Sequence, residues 1–193
     1  VHAMATVATG GFSSRTASLG AYNSLAVNVI VAIFMLLSSL NFSVLYFVVI
    51  KRSMRLSDNS EIKIYFRMLA VATLLITGDL ILHSDLGAAE SVGHAVFQVI
   101  SVSSTTAFVT TDFGQWPAFS QMILLILMVV GGCAASTAGG IKMQRVALMF
   151  RIMYRHLHNM IHLRVVRTIC VDGHRVEEPV LNMVSLYFFS YIV

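Results

Sequence analysis

The sequence predicts an all-α membrane protein assembled from repeats of span, short re-entrant pore loop and span, with one helix broken partway across. Three observations lead there. The chain is 57% hydrophobic and only 11% charged, with a mean hydropathy of +0.80, whereas a soluble domain carries about 25% charge. Residues 25–50 contain no charged side chain. A short pattern of Thr, small residues and Phe occurs twice at an offset of 96 residues, as Thr9-Gly10-Gly11-Phe12 and Thr105-Thr106-Ala107-Phe108, each ahead of an apolar run. At the same offset Ser24 matches Ser120. A small-residue loop that recurs at membrane depth is one way to ring a bare cation with backbone carbonyls.

The elements follow in order. Residues 25–50 form the first span. At about 1.5 Å per residue they reach about 39 Å, enough to cross a hydrocarbon core of about 30 Å with tilt. Lys51 and Arg52 end it, and Asn28, Asn41 and its serines read as groups that hydrogen-bond between helices. A polar loop with Ser57-Asp58-Asn59-Ser60 leads to a second span over 65–83, which carries Asp79 and ends at His83-Ser84-Asp85. An ionisable residue inside a span is a functional candidate. The place of Asp79 near the span's outer end fits a structural role as well as an ion-path one.

Residues 90–104 have a helical pattern but are too short to span, which suggests a re-entrant half-helix. It runs directly into Thr105-Thr106-Ala107-Phe108. Non-helical backbone at membrane depth is tolerated only when buried in protein or lining a cavity. The third span starts at Pro117, a good first helical residue. It meets Gly131-Gly132-Cys133-Ala134-Ala135-Ser136-Thr137-Ala138-Gly139-Gly140, which is poor helix material. The helix is expected to break there and to resume from Ile141 to about residue 166. Asp172-Gly173-His174 makes a polar turn, and another apolar helix starts at Pro179.

Charge placement predicts orientation. Apart from Arg15, every Lys and Arg lies in 51–67 (Lys51, Arg52, Arg55, Lys63, Arg67) or 142–175 (Lys142, Arg145, Arg151, Arg155, Arg164, Arg167, Arg175). Short basic loops stay cytoplasmic, so both stretches are expected inside and the two Thr-containing loops outside. Cys133 and Cys170 suggest neither a disulfide framework nor a metal site. The chain opens within a motif and closes within an apolar run, as an internal piece of a longer protein would.

The succession of span, half-helix, Thr-x-Gly-Phe-like loop and span resembles the Trk/Ktr/HKT superfamily of potassium transporters. Thr6-Val7-Ala8-Thr9-Gly10-Gly11-Phe12-Ser13 resembles a filter of that superfamily. The string 131–142, ending in Ile141-Lys142, resembles its intramembrane gating loop. The resemblance implies four repeats around one pore. Residues 1–56 would hold the second repeat from its filter onward, 57–167 the third, and 168–193 the start of the fourth.

It also implies potassium as the transported ion, with no bound cofactor and no enzymatic activity. The implied filter residues are Thr9, Gly10, Gly11, Phe12, Thr105, Thr106, Ala107 and Phe108. The implied gating loop comprises Gly131, Gly132, Ala134, Ala135, Ser136, Thr137, Ala138, Gly139, Gly140 and Lys142. The implied partners are the lipid bilayer, a second copy in a homodimer and a TrkA-like cytoplasmic nucleotide-binding regulatory subunit, with no nucleic acid. The implied location is the bacterial inner membrane, crossed several times. One departure stands out. Family filters usually carry Gly where this chain has Ala107, and a methyl group disfavours φ > 0. That leaves the shape of this quarter of the filter, and its stringency for potassium, open.

The chemistry expected of the residues is consistent. Backbone carbonyls replace water around potassium without binding it too tightly. Phe12 and Phe108 are expected to anchor the loops by packing outward, and the half-helix to point its partly negative C-terminal end at the cation. Lys142 either holds the cytoplasmic end of the small-residue loop or marks the membrane boundary. Asp112 sits at the outer mouth, where it either concentrates cations or shapes a turn. The alternative for 131–140 is a close helix-packing surface.

Two rival functions compete with this reading. A membrane-embedded hydrolase needs a nucleophile paired with a base at membrane depth, and Cys133, Ser136 and Thr137 have no His at comparable depth. Another ion or solute carrier with broken helices remains possible. Ser60-Glu61-Ile62-Lys63 and Ser57-Asp58-Asn59 match hydrolase motifs in the wrong order and without their third member. His158 and His162 are spaced as metal ligands on a helix, with Asn159 where the motif needs Glu.

Overall fold

The computed structural model describes residues 1–22, 24–52, 59–84, 87–161 and 168–192. Arg55, Ser57, Asp58, Asp85, His162, Arg164 and Arg167 lie outside the described residues. Helices are α1 (His2–Val7), α2 (Leu25–Ser39), α3 (Phe42–Val49), α4 (Ser60–His83), α5 (Ala88–Ser103), α6 (Ala118–Val130), α7 (Met143–Ile161) and α8 (Glu178–Ile192). A two-stranded antiparallel ribbon, β1 (Cys170–Val171) and β2 (His174–Arg175), is the exception to the all-α prediction. Asp172 and Gly173 close it at φ 48° and 83°, the left-handed pair that a tight hairpin turn requires.

The single span expected over 25–50 is instead two helices, α2 and α3, bent by 104°. The cause is local. The hydroxyls of Ser38 and Ser39 turn back onto the carbonyls of Phe34, Met35 and Leu36, and Leu40 is extended at ψ 159°. Asn41 then starts α3, its side chain accepting the amides of Ser43 and Val44 at 3.0 and 3.4 Å. Asn41 is therefore a helix cap, and its side-chain amide also reaches the Glu61 carboxylate of α4 at 3.5 Å, the interhelical link expected of it. Two other boundaries shift. Pro117 caps α6 rather than entering it, and α7 starts at Met143 rather than Ile141.

α4 is about 36 Å long and is the one helix among the described residues that is long and apolar enough to cross a membrane unaided. Asn59 caps it by accepting the Ile62 amide at 3.1 Å. At its other end the buried Asp79 carboxylate accepts from the Ser120 amide at 3.2 Å and the Ser120 hydroxyl at 2.5 Å. His83 approaches the second carboxylate oxygen at 3.1 Å. Asp79 thus caps the first turn of α6, where the orphan amides of a helix need an acceptor.

α5 lies at the centre and packs against α2, α4 and α6. One apolar cluster joins Tyr65, Ile76 and Leu80 of α4 to Ala95 and Val99 of α5 and Leu124 and Leu127 of α6. A second joins α1, α2 and α5 around Phe108. A third holds α8 and the ribbon to α7 through Leu148, Ile152, Ile169 and Leu181. Arg155 forks onto Glu178 beside it, at 2.6 and 3.2 Å. Outward-facing Leu25, Leu74, Leu82, Met122 and Leu125 stay exposed, more apolar surface than a soluble monomer presents to water.

Candidate functional site

α1 and α5 end in the same way, and the two Thr-containing loops begin there. At the end of α1 the Thr9 amide donates to the Thr6 carbonyl and the Gly10 amide to the Ala5 carbonyl; at the end of α5 the Thr105 amide donates to Val102 and the Thr106 amide to Ser101. This is the Schellman closure, which places its next residue in the left-handed region. Glycine usually fills that place; here Thr9 stands at φ 50° and Thr105 at φ 56°. Two residues on, Gly11 has φ 68° and Ala107 φ 57°. All four positions correspond at the 96-residue offset.

A left-handed backbone costs a residue with a Cβ about 1–2 kcal/mol, and a β-branched residue there is a genuine outlier. Such strain persists only where the surroundings over-determine it. The open question of Ala107 is thereby answered for the backbone: it takes the same left-handed conformation as Gly11 despite its methyl group.

The loops touch each other. A Cβ added at Gly11 would lie 2.2 Å from the Thr106 carbonyl oxygen, so only glycine fits. Further on, the Gly20 amide donates to the Val109 carbonyl at 3.2 Å and the Val109 amide to the Ser18 hydroxyl at 3.3 Å. Phe108 is buried among Ala5, Leu19, Met35 and Phe97, as an anchor should be. Phe12 is 75% exposed and joins no apolar cluster among the described residues, unlike Phe108. The Phe108 carbonyl also departs from expectation. It already accepts the Ser101 hydroxyl at 2.6 Å, on the α5 side of the loop.

Between α6 and α7 the helix is interrupted and then resumed. A continuous helix would pair the carbonyls of Val129 and Val130 with the amides of Cys133 and Ala134. Instead they accept from Ile141 and Lys142, both at 3.0 Å, so 131–140 is extruded as a closed loop. Its stem is tight: a Cβ on Gly131, at φ 71°, would sit 2.1 Å from the Gly139 carbonyl oxygen.

The extruded loop lies against both Thr-containing loops. The Thr9 hydroxyl donates to the Thr137 carbonyl at 2.8 Å, and the Gly139 amide donates to the Thr105 hydroxyl at 2.6 Å. The Thr137 hydroxyl reaches the Val7 carbonyl at 3.0 Å. The same loop fills the break between α2 and α3. Cys133 donates to the Ser39 carbonyl at 2.9 Å and Thr137 to Ser38 at 3.3 Å, while the Phe42 amide donates to the Ala135 carbonyl at 3.1 Å. Two helix breaks thus satisfy each other's orphan backbone groups.

Residues 1–77 and 62–193 match the family model TrkH, a cation transport protein. The chain belongs to the TrkH family. It is 32% identical to the Trk system potassium uptake protein TrkH of Escherichia coli strain K12, over 98% of this chain and 40% of that protein. It is 34% identical to the protein of the same name from Vibrio parahaemolyticus, again over 98% of this chain and 40% of the relative. The crystal structure of the potassium transporter TrkH from Vibrio parahaemolyticus superposes with a TM-score of 0.93 at 32% identity, covering 99% of this chain and 42% of that one. This TrkH-family chain is therefore a helical membrane protein that spans about two fifths of the length of the relatives it matches.

The remaining residues of this TrkH-family chain can be placed. The Lys142 ammonium donates to the Ala138 carbonyl and reaches the Ser136 carbonyl at 3.3 Å, so it grips the extruded loop from its C-terminal side. Asp112 is exposed and accepts from the Gly114 amide at 3.0 Å, shaping the turn after the second Thr-containing loop. His158 stacks on Tyr154.

Four further residues contribute contacts that the sequence does not single out. Tyr65 donates its hydroxyl to Ser39 at 2.9 Å and meets the Ser103 hydroxyl at 3.1 Å, joining α2, α4 and α5. Ser38 and Ser39 supply the carbonyls that receive the loop. Glu61 is buried and accepts the Ala134 amide at 2.6 Å. The Ser38-Ser39 pair followed by Asn41 was a legible break signal. Nothing local marked Glu61.

Proposed function

We propose that this chain is part of a potassium-uptake protein and contributes two quarters of its selectivity filter and the gate beneath them. The observation that carries this reading is the matched pair of strained loops: Thr9 and Gly11, and Thr105 and Ala107, share one left-handed pattern at a fixed offset and meet at Gly11 and Thr106. Reversing the sign of φ at every second residue turns alternate peptides. Neighbouring carbonyls can then face one side instead of alternating as in a strand. Carbonyls of Thr9, Gly10 and Gly11 and of Thr105, Thr106 and Ala107 are the proposed ligands that replace potassium's water, with Phe108 as the packing anchor. The names of the matched relatives, potassium uptake proteins and a potassium transporter, support the choice of ion.

The reading extends to the architecture. α5 is a re-entrant pore helix, α4 and α6–α7 are the flanking spans of a third repeat over 57–167, residues 1–56 belong to a second repeat, and 168–193 begin a fourth. Residues 131–142, including Gly132, Ala135 and Gly140, plug the path below the filter and must move for ions to pass. The basic stretches are cytoplasmic. The Ser60 amide donates to Asp172 at 3.1 Å, which sets the start of α4 beside the ribbon, as that topology needs. The bacterial inner membrane, a homodimer and a nucleotide-binding regulatory subunit complete the proposal.

The test is rubidium uptake by the whole protein in cells that lack other potassium-uptake systems. The wild type restores uptake, and Gly11→Asp abolishes it while the protein still reaches the membrane. Wild-type uptake by that variant refutes the filter assignment. Deleting 134–138 should give higher flux with weaker dependence on a regulatory partner; unchanged flux and regulation refute the gate.

A further inference from the structure

Glu61 is a buried carboxylate that the ion path does not use, and its position bears on the loop 131–140. It lies in the first turn of α4, 6% exposed. One carboxylate oxygen accepts the Ala134 amide at 2.6 Å, and the other is 3.5 Å from the Asn41 side-chain amide. The Ala134 amide has two alternative acceptors. In a continuous helix it would pair with the Val130 carbonyl. In the extruded loop that carbonyl is occupied by the Lys142 amide, so Ala134 would be an orphan donor without Glu61. Leaving a part-buried amide unsatisfied is costly, and a charged acceptor makes the stronger bond.

We propose that Glu61 is a positioning residue for the gate: a latch whose carboxylate holds the Ala134 amide and so stabilises the extruded loop over a straightened α6–α7 helix. The proposal rests on reading 131–140 as the gate. The latch is selective by construction. Straightening returns the Ala134 amide to Val130 and leaves Glu61 without that donor, so its bond favours one state only, the condition for shifting a two-state balance. The adjacent residue of α4, Ser60, is tied to Asp172 of the ribbon at 3.1 Å. The latch therefore stands on the turn that meets the basic stretch 142–175, where a regulatory partner can reach it.

The experiment measures rubidium uptake by the whole transporter, in uptake-deficient cells lacking its regulatory subunit, with the amount in the membrane fraction measured alongside. Glu61→Ala should raise partner-independent flux about tenfold, the size expected from losing one charged hydrogen bond. The rubidium-to-sodium ratio should stay unchanged, because the filter is untouched. Glu61→Gln keeps an acceptor at the same reach and should restore flux to within about threefold of wild type. Glu61→Asp keeps the charge but falls short of Ala134, and should raise flux; it decides the matter if the alanine variant does not reach the membrane. Wild-type flux in both Glu61→Ala and Glu61→Asp, with raised flux on deleting 134–138, overturns the latch and leaves the gate standing. No change in the deletion protein overturns the gate itself. Equal flux in Glu61→Gln and Glu61→Ala overturns the hydrogen bond as the holding contact.

Discussion

Gly139 donates its amide to the hydroxyl of Thr105 at 2.6 Å, so the loop extruded from α6–α7 is tied to the strained residue that ends α5. One threonine therefore carries two duties. Its backbone opens the loop at φ 56°, and its side chain receives the extruded loop. Thr105→Val keeps the shape and the branched Cβ but removes the acceptor. The expected outcome is partner-independent rubidium flux raised about fivefold, from a lost hydrogen bond of about 1 kcal/mol, with Thr105→Ser close to wild type. Flux assays on membrane vesicles, normalised to protein amount, check this.

Two of the left-handed positions, Ala107 and Gly11, should respond oppositely to substitution. At Ala107, replacement by glycine removes strain, offset in part by the freer unfolded chain. Ala107→Gly should keep transport and leave stability unchanged or raise it by up to about 1 kcal/mol, read as a thermal shift in detergent. At Gly11, a methyl group would collide with the Thr106 carbonyl oxygen at 2.2 Å. Gly11→Ala should therefore lose most rubidium uptake although the substitution adds only one carbon.

Asp79 should prove structural. It accepts both the amide and the hydroxyl of Ser120, and removing a helix cap costs about 0.5–2 kcal/mol. Asp79→Ala should lower the unfolding temperature in detergent without changing the rubidium-to-sodium ratio. A changed ratio with unchanged stability would instead put Asp79 on the ion path.

Orientation can be read from two exposed aspartates, Asp112 and Asp172. In whole cells, a membrane-impermeant thiol reagent should label Asp112→Cys and leave Asp172→Cys unlabelled until the membrane is opened. The reverse pattern would invert the proposed topology.

Local sequence was enough for much of this molecule. Apolar content implied a helical membrane chain, and the paired Thr motifs located both strained loops. The glycines at each end of 131–140 located the break between α6 and α7. Each follows from sums over neighbouring residues: transfer of apolar side chains, helix propensity and the freedom of glycine. What those sums omit is where an orphan backbone group finds its partner. Ala134 is held by Glu61 from 73 positions away and Thr137 by Thr9 from 128, and the carbonyls of Ser38 and Ser39 receive the amides of Thr137 and Cys133. Hydropathy treats Leu40 as more span, yet the 104° bend before α3 is stable because the loop caps the helix end it exposes. The positive φ of Ala107 is likewise a tertiary result. Propensity opposes it, and the α5 closure, the buried Phe108 and the Ser101 bond to its carbonyl impose it.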